Sequence, residues 1–278
     1  MPSGIIVIDK PSDWTSMDVC AKLRGRFHEK RVGHGGTLDP MATGVLPVFL
    51  GRATRAVTFA SESEKEYQFG LKLGVVTNTQ DVTGEIVRQT PFTGTAEDLL
   101  AVLPTFRGDI QQVPPMYSAI KINGQKLDDL ARKTIHALEL EDQLGPDEFL
   151  LRVRCSKGTY VRTLCHDIGA AVGCGGCMSS LRRTMAAGFT LADSVTLDAV
   201  LQADDPAALL LPVDAYFSGY PDLVADPEQE KRIRNGAALP MPGLPDGRYR
   251  VYGQDGTFLA LSQGENGVLT TVKSFYEV

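Results

Sequence analysis

The sequence predicts an α/β chain of the α+β type followed by a small β unit, and three observations predict it. Runs whose apolar residues alternate with polar ones, Tyr67 to Leu73 and Phe149 to Cys155, are interspersed with runs at helical spacing, Met17 to Phe27 and Leu164 to Val172. The tail from Ser218 is rich in Gly and Pro and carries three short strand-like runs, Arg248 to Tyr252, Phe258 to Ser262 and Val268 to Val272. A length of 278 residues, 43% hydrophobic and 22% charged, suits one large domain plus a small one around a sizeable core.

The elements follow from local chemistry. Gly4 to Ile8 is a short β-branched run and reads as a strand. Ser12-Asp13-Trp14-Thr15 is turn-like, and Thr15 or Ser16 supplies the N-cap of a helix carrying Met17, Val19, Cys20, Leu23 and Phe27. Ala96 to Leu103 reads as a helix after Thr95, with Asp98 completing a capping box. Gln111 to Ser118 contains Pro114-Pro115 and is expected to be irregular. Asn123-Gly124 is a hairpin signal, and Asp128 to Arg132 resembles a helical segment. In Phe149 to Cys155, Leu151, Val153 and Cys155 alternate with Arg152 and Arg154. Lys157-Gly158 then turns, and the helix from Leu164 stops at Gly173.

Composition excludes several classes. No window approaches the roughly 18 apolar residues of a membrane span, and the start MPSGIIVIDKP does not read as a signal peptide. Five cysteines at irregular spacing argue against a disulfide framework and predict a reducing, cytoplasmic setting. The formal charge of −6 is unevenly distributed. Nine acids and no Lys or Arg lie between Asp193 and Glu230, so with that stretch set aside the rest of the chain carries +3. Basic clusters lie at Lys22, Arg24, Arg26, Lys30 and Arg31, at Lys121, Lys126, Arg132 and Lys133, and at Arg152, Arg154, Lys157 and Arg162. Each alone is consistent with a solvated face; together they point toward a phosphate backbone.

Four features carry candidate chemistry. Gly33 to Val48 holds six Gly or Pro in sixteen residues and a single carboxylate, Asp39, between Leu38 and Pro40. Pro40 biases Asp39 toward an extended backbone. The others are Lys157 to Arg162, Glu64 to Tyr67, and Asp9-Lys10-Pro11. Rival readings fare worse. Cys174-x-x-Cys177 with His166 lacks the second ligand pair of a structural zinc site. Neither a phosphate-binding loop nor a Gly-x-Ser-x-Gly elbow is present. His28 and His136 sit in charged contexts and read as surface residues, whereas His34, between Gly33 and Gly35, is free to project.

The run from Gly33 to Val48, led in by Gly4 to Pro11, resembles the bacterial tRNA pseudouridine-55 synthase family of the TruB type. Further matching segments follow in family order: Glu66-Tyr67, Leu73-Gly74, Thr77-x-Thr79-x-Asp81-x-x-Gly84, Phe106-x-Gly108-x-Ile110-Gln111-Gln112-x-Pro114, Tyr117-Ser118-Ala119-x-Lys121, Cys155 to Arg162, and Leu181-Arg182-Arg183-Thr184. The resemblance covers about residues 4 to 190. It is weaker from Ser218, where Gly236 and the Gly-containing strands look like a PUA-type module.

The resemblance implies a mixed, largely antiparallel sheet flanked by helices, the pseudouridine synthase fold, over residues 1–217. An RNA-gripping insertion would span about 111–140, and a PUA-like β-barrel would occupy 218–278. It implies isomerisation of uridine to pseudouridine in the T-arm loop of tRNA, with no cofactor and no metal, by a cytoplasmic monomer without an obligate protein partner. Asp39 matches the family's catalytic aspartate, as nucleophile or as stabiliser of a cationic sugar. Arg162 matches its paired arginine. Tyr67 matches the tyrosine lying against the target base, by stacking or by assisting proton removal. Tyr160 and Leu181 match further pocket positions, and His34 matches the histidine filling the space of the flipped base. Lys10 either holds phosphate or fixes the loop.

Two departures stand out. The stretch from about Arg132 to Phe149 is shorter than is usual in the family, which bears on strand packing below the insertion. Gly35 occupies a variable slot. Two other readings are an RNA-binding module without catalysis, against which every matched site group is present, and a glycoside hydrolase, for which Asp39 lacks a partner acid.

Overall fold

The computed structural model describes residues 2–113 and 131–276. The Tyr117-Ser118-Ala119-x-Lys121 motif, the Asn123-Gly124 signal and Lys126 lie outside the described residues.

The first strand, β1 (Gly4–Lys10), is buried along nearly all its length. Ile6 and Ile8 enter one core, while Ile5 and Val7 enter a second on the opposite face. Burial on both faces is why the run is continuously apolar rather than alternating. Thr15 caps α1 (Ser16–Phe27) through a capping box with Asp18. Then come β2 (Val32–His34), β3 (Thr43–Leu50), α2 (Val57–Glu62) and β4 (Lys65–Leu73). A ribbon of β5 (Val75–Thr77) and β6 (Ile86–Gln89) precedes α3 (Ala96–Val102), whose Thr95–Asp98 capping box forms as the spacing predicts.

Next are β7 (Gly108–Gln112), β8 (Ala131–Gly145), β9 (Glu148–Cys155), α4 (Val161–Val172), β10 (Gly176–Ala186), β11 (Phe189–Thr190), β12 (Val195–Thr196) and α5 (Leu197–Gln202). The large sheet runs β12-β1-β3-β10-β4-β9-β8-β7, with β2 on β3 and β11 on β10. It is mixed: β1/β12 and β3/β10 are parallel and the remaining pairs antiparallel. The β3/β10 seam is short, pairing Arg182 with Thr43 and Arg183 with Gly44. Gly44 has φ +102°, and a Cβ there would lie 2.2 Å from the Arg183 carbonyl oxygen, so only glycine fits the seam.

Helices α1, α3, α4 and α5 cover one face of this sheet through Val19, Leu23, Leu99, Leu164, Ile168 and Val200. On the other face, Val45 and Phe49 meet Ala53, Ala56, Ala60, Phe217, Leu261 and Phe275.

The C-terminal unit contains β13 (Asp222–Val224), α6 (Pro227–Arg234), β14 (Leu239–Pro240), β15 (Gly247–Tyr252), β16 (Phe258–Glu265) and β17 (Val268–Ser274). Its sheet has the order β13-β15-β16-β17-β14 and is open, since its edge strands β13 and β14 do not pair with each other. Phe217 joins it to the rest. Its ring lies 5.6 Å from that of Phe59, 6.1 Å from Phe258 and 5.7 Å from Phe275.

Two local expectations differ from the structure. Gln111 and Gln112 complete β7 instead of being irregular, because the strand ends before Pro114 and the missing proline N–H groups cost it nothing. Arg132 lies in β8, not in a helix, since pairing with Gln111 holds it extended; residues 128–130 are outside the described set. The stretch from Arg132 to Phe149 forms a long hairpin of β8 and β9 whose pairing runs from Ile135–Cys155 to Gly145–Glu148.

Candidate active site

Asp39 stands on a loop tied down on both sides. The Leu38 N–H donates to Ser16 Oγ at 2.9 Å, and Ser16 Oγ donates back to the Leu38 carbonyl at 3.3 Å. The Pro40 carbonyl accepts from the Asp13 N–H at 2.9 Å and from Lys10 Nζ at 3.1 Å. The Ala42 N–H closes a turn onto the Asp39 carbonyl at 3.0 Å. With its neighbours on both sides fixed, the Asp39 carboxylate projects into a cleft.

That cleft, about 340 Å³, is lined by Asp39, Tyr67, Tyr160, Arg162 and Leu181 among others. Its size falls in the range of small-molecule sites, about 300–1,000 Å³. Two larger hollows, about 450 and 580 Å³, lie elsewhere without an acid–arginine pair; chemistry, not volume, singles out the cleft.

Arg162 sits on the first turn of α4, with Nε 3.2 Å from Asp39 Oδ2. Its Nη1 lies 3.5 Å from Asp81 Oδ2 and 3.3 Å from the Thr79 carbonyl. The side chain of Asp81 is more buried than that of Asp39, at 7% against 38% exposed. The guanidinium is therefore clamped between a buried carboxylate that orients it and an accessible one that faces the cleft. Asp81 Oδ1 is itself held by Thr79 Oγ1 at 2.9 Å and the Thr83 N–H at 3.0 Å. The Thr77-x-Thr79-x-Asp81 motif was visible in the sequence, but its pairing with Arg162 was not.

Tyr67 is buried on β4, opposite Arg183 of β10. Burial pushes its phenol above the ordinary value, and the neighbouring Arg183 guanidinium opposes that shift. Tyr160 caps α4, and its backbone is gripped by Gln112, a buried residue whose segment stands out in the sequence but whose role does not. Lys65 also lines the cleft. Its Nζ donates to the Ser61 and Ser63 carbonyls at 2.8 and 2.6 Å, and burial, reinforced by Arg183, lowers its pKa to about 8.

Two expected residues stand outside the lining. Lys10 is fully buried, and its ammonium donates to the carbonyls of Pro11, Trp14 and Pro40 at 2.8, 2.6 and 3.1 Å. All three of its donors are engaged, and its contact with Pro40 fixes the Asp39 loop. Burial lowers its pKa to about 8. His34 ends β2, two residues before the cleft, and its Nδ1 accepts from the Gly36 N–H at 3.3 Å. Burial and the nearby Arg183 lower its pKa, which favours the neutral ring.

The basic clusters are less free than their sequence suggests. Arg152 faces Glu66, Glu139 and Glu141, Arg154 pairs with Glu64, and Lys157 pairs with Glu62. Asp9 pairs with Arg182 at 2.8 Å, not with Lys10. Cys174 and Cys177 are buried free thiols, and among the described residues no group of three or more His, Cys, Asp or Glu could hold a metal ion.

The family model for the N-terminal domain of TruB family pseudouridylate synthases matches residues 24–161, and that for the tRNA pseudouridylate synthase B C-terminal domain matches 162–218. The tRNA pseudouridine synthase B of Clostridium kluyveri is 38% identical over 98% of this chain and 99% of its own length. That of Azoarcus sp. strain BH72 is 42% identical over 96% of this chain and 92% of its own. A chain solved in a Cbf5-Nop10-Gar1 complex superposes with a TM-score of 0.77 at 26% identity, covering 98% of this chain and 85% of that one. With both domain models matched in order and near-complete relatives at about 40% identity, the chain belongs to the TruB family of pseudouridylate synthases.

Proposed function

We propose that this protein isomerises uridine to pseudouridine in the T-arm loop of tRNA, at the position its family addresses. The observation that carries the reading is the Asp39–Arg162 ion pair at 3.2 Å inside a cleft that also presents Tyr67 and Tyr160. The reaction breaks the N1–C1′ glycosidic bond, turns the uracil and forms a C5–C1′ bond. The C5 proton leaves and N1 gains one, so atoms balance without a co-reactant or cofactor.

Asp39 supplies negative charge at C1′ as the glycosidic bond breaks, as nucleophile or as counter-charge to the sugar cation. Arg162 fixes that carboxylate, and its planar fork, held at the other end by Asp81, sets the direction. Tyr67 lies against the uracil, and Tyr160 and Leu181 complete the pocket walls. His34, favoured as a neutral ring, takes the place of the extruded base in the RNA stack. Lys10 serves by bracing the loop.

The same reading assigns residues 1–217 to catalysis with an RNA-gripping insertion at about 111–140, and residues 218–278 to a PUA-like RNA-binding unit. Phe217 at the junction supports a unit docked on the catalytic sheet rather than tethered to it. The protein acts as a cytoplasmic monomer on RNA recognised mainly by shape and backbone.

Incubating the protein with an unmodified T-arm hairpin and mapping pseudouridine tests this. Product from the native chain and none from Asp39→Asn is the expected result. No product from the native chain, or full product from Asp39→Asn, overturns it. Retained hairpin binding by Asp39→Asn separates catalysis from RNA binding.

A further inference from the structure

Arg183 is the largest of the fully buried side chains, and among the described residues it has no carboxylate partner. Its Nε donates to the Val45 carbonyl at 2.7 Å, Nη1 to the Thr37 carbonyl at 3.3 Å and Nη2 to the Gly36 carbonyl at 3.1 Å. Tyr67 stands directly across the β4/β10 pairing from it, and both side chains line the cleft. A bare buried cation is costly, and backbone carbonyls alone could be satisfied by neutral donors. The charge therefore calls for an account beyond packing.

Direction supplies one. A guanidinium has donors and no acceptor, so toward Arg183 the Tyr67 oxygen can only accept, leaving the phenolic proton to point away from it. Gly36 and Thr37 lie within three residues of Asp39, so the same guanidinium holds the start of the Asp39 loop. The neighbouring Arg182, one position along the strand, faces the other way and pairs with Asp9.

We propose that Arg183 is the positioning residue of this site: it holds the Tyr67 oxygen as a hydrogen-bond acceptor and fixes the hydroxyl in register with the Asp39 loop. The claim about rate rests on the reaction proposed above, whereas the claim about Tyr67 does not. The cationic neighbour also opposes the upward push of burial on the phenol. Lysine would keep the charge but lose the planar fork that reaches three carbonyls and a phenol at once.

The test is a double-mutant cycle on single-turnover pseudouridine formation in the hairpin. Arg183→Lys is expected to slow the reaction about 10–100-fold while hairpin affinity stays within about twofold. In a Tyr67→Phe background the same change should cost several-fold less, the remainder coming from its contacts with the start of the Asp39 loop. Losses that multiply, or a loss confined to binding, overturn the proposal. A second measurement needs neither substrate nor a variant at Arg183. On going from native protein to Tyr67→Phe, the side-chain ¹⁵N resonance of Arg183 should shift while that of Arg162 does not. An unmoved Arg183 resonance overturns the proposal even where the protein makes pseudouridine, and a moved one sustains the contact even where it makes none.

Discussion

Gln112 and Tyr160 pair side chain to backbone: the Gln112 carboxamide accepts from the Tyr160 N–H at 3.0 Å and donates to the Tyr160 carbonyl at 3.1 Å. The amide imitates a neighbouring strand at the one place where β9 has ended and α4 has not begun. Two residues later Arg162 reaches Asp39.

Gln112→Ala leaves the Tyr160 N–H without its partner, while the carbonyl still accepts from the Leu164 N–H at 3.0 Å. Losing this half-buried hydrogen bond costs about 0.5–1.5 kcal/mol. Urea denaturation should show that loss, and the single-turnover rate should fall as Tyr160 and Arg162 lose their footing.

Asp81→Asn keeps the shape of the inner clamp on Arg162 and removes its charge. The guanidinium then has Asp39 as its single carboxylate partner among the described residues. A rate drop of about 10–100-fold, or about 1.4–2.8 kcal/mol of barrier, is expected. Hairpin affinity measured by filter binding should be unchanged.

Lys10 gives a stability signal with a definite sign. Burial lowers its pKa to about 8 from the ordinary 10.5; Asp13 and Asp39 resist the shift and Arg183 reinforces it. Between those two values the unfolded chain binds the extra proton, so stability rises with pH across that window. Below about pH 8 both states carry the proton and the slope vanishes. Lys10→Met should remove up to about 3 kcal/mol of this pH-dependent gain, read as the difference between native and variant denaturation midpoints from pH 7.5 to 10.5.

Phe217→Ala empties the centre of the aromatic group joining the C-terminal sheet to α2. A loss of about 3–5 kcal/mol is expected. Limited proteolysis should show residues 218–276 cleaved ahead of the large sheet.

Legibility in the sequence tracked the range of the interaction. The helix start at Thr15 or Ser16, the capping box at Thr95, the alternating strands and the Asp39 loop were readable because each is decided within a few residues. Asp81, Gln112 and Arg183 were not assigned roles, since each is buried against backbone or an ion partner more than forty positions away. Arg182 and Arg183 look alike in the chain; only the pleat separates a half-exposed ion pair from a buried cation. The prolines after Gln112 misled because proline constrains its own position and the one before it, not a strand that has already ended. The C-terminal runs showed strands but not closure, which depends on whether two edges meet.

The two-pair seam between β3 and β10 sets an order of events during synthesis. Gly36 and Arg183 are 147 positions apart. A growing chain that has made the Asp39 loop, Tyr67 and Arg162 still lacks the strand that forms their floor. Contacts of such long span are slow to close. The reaction centre thus closes only once β10 has been made, and an unfinished chain carries the acid without the cleft around it.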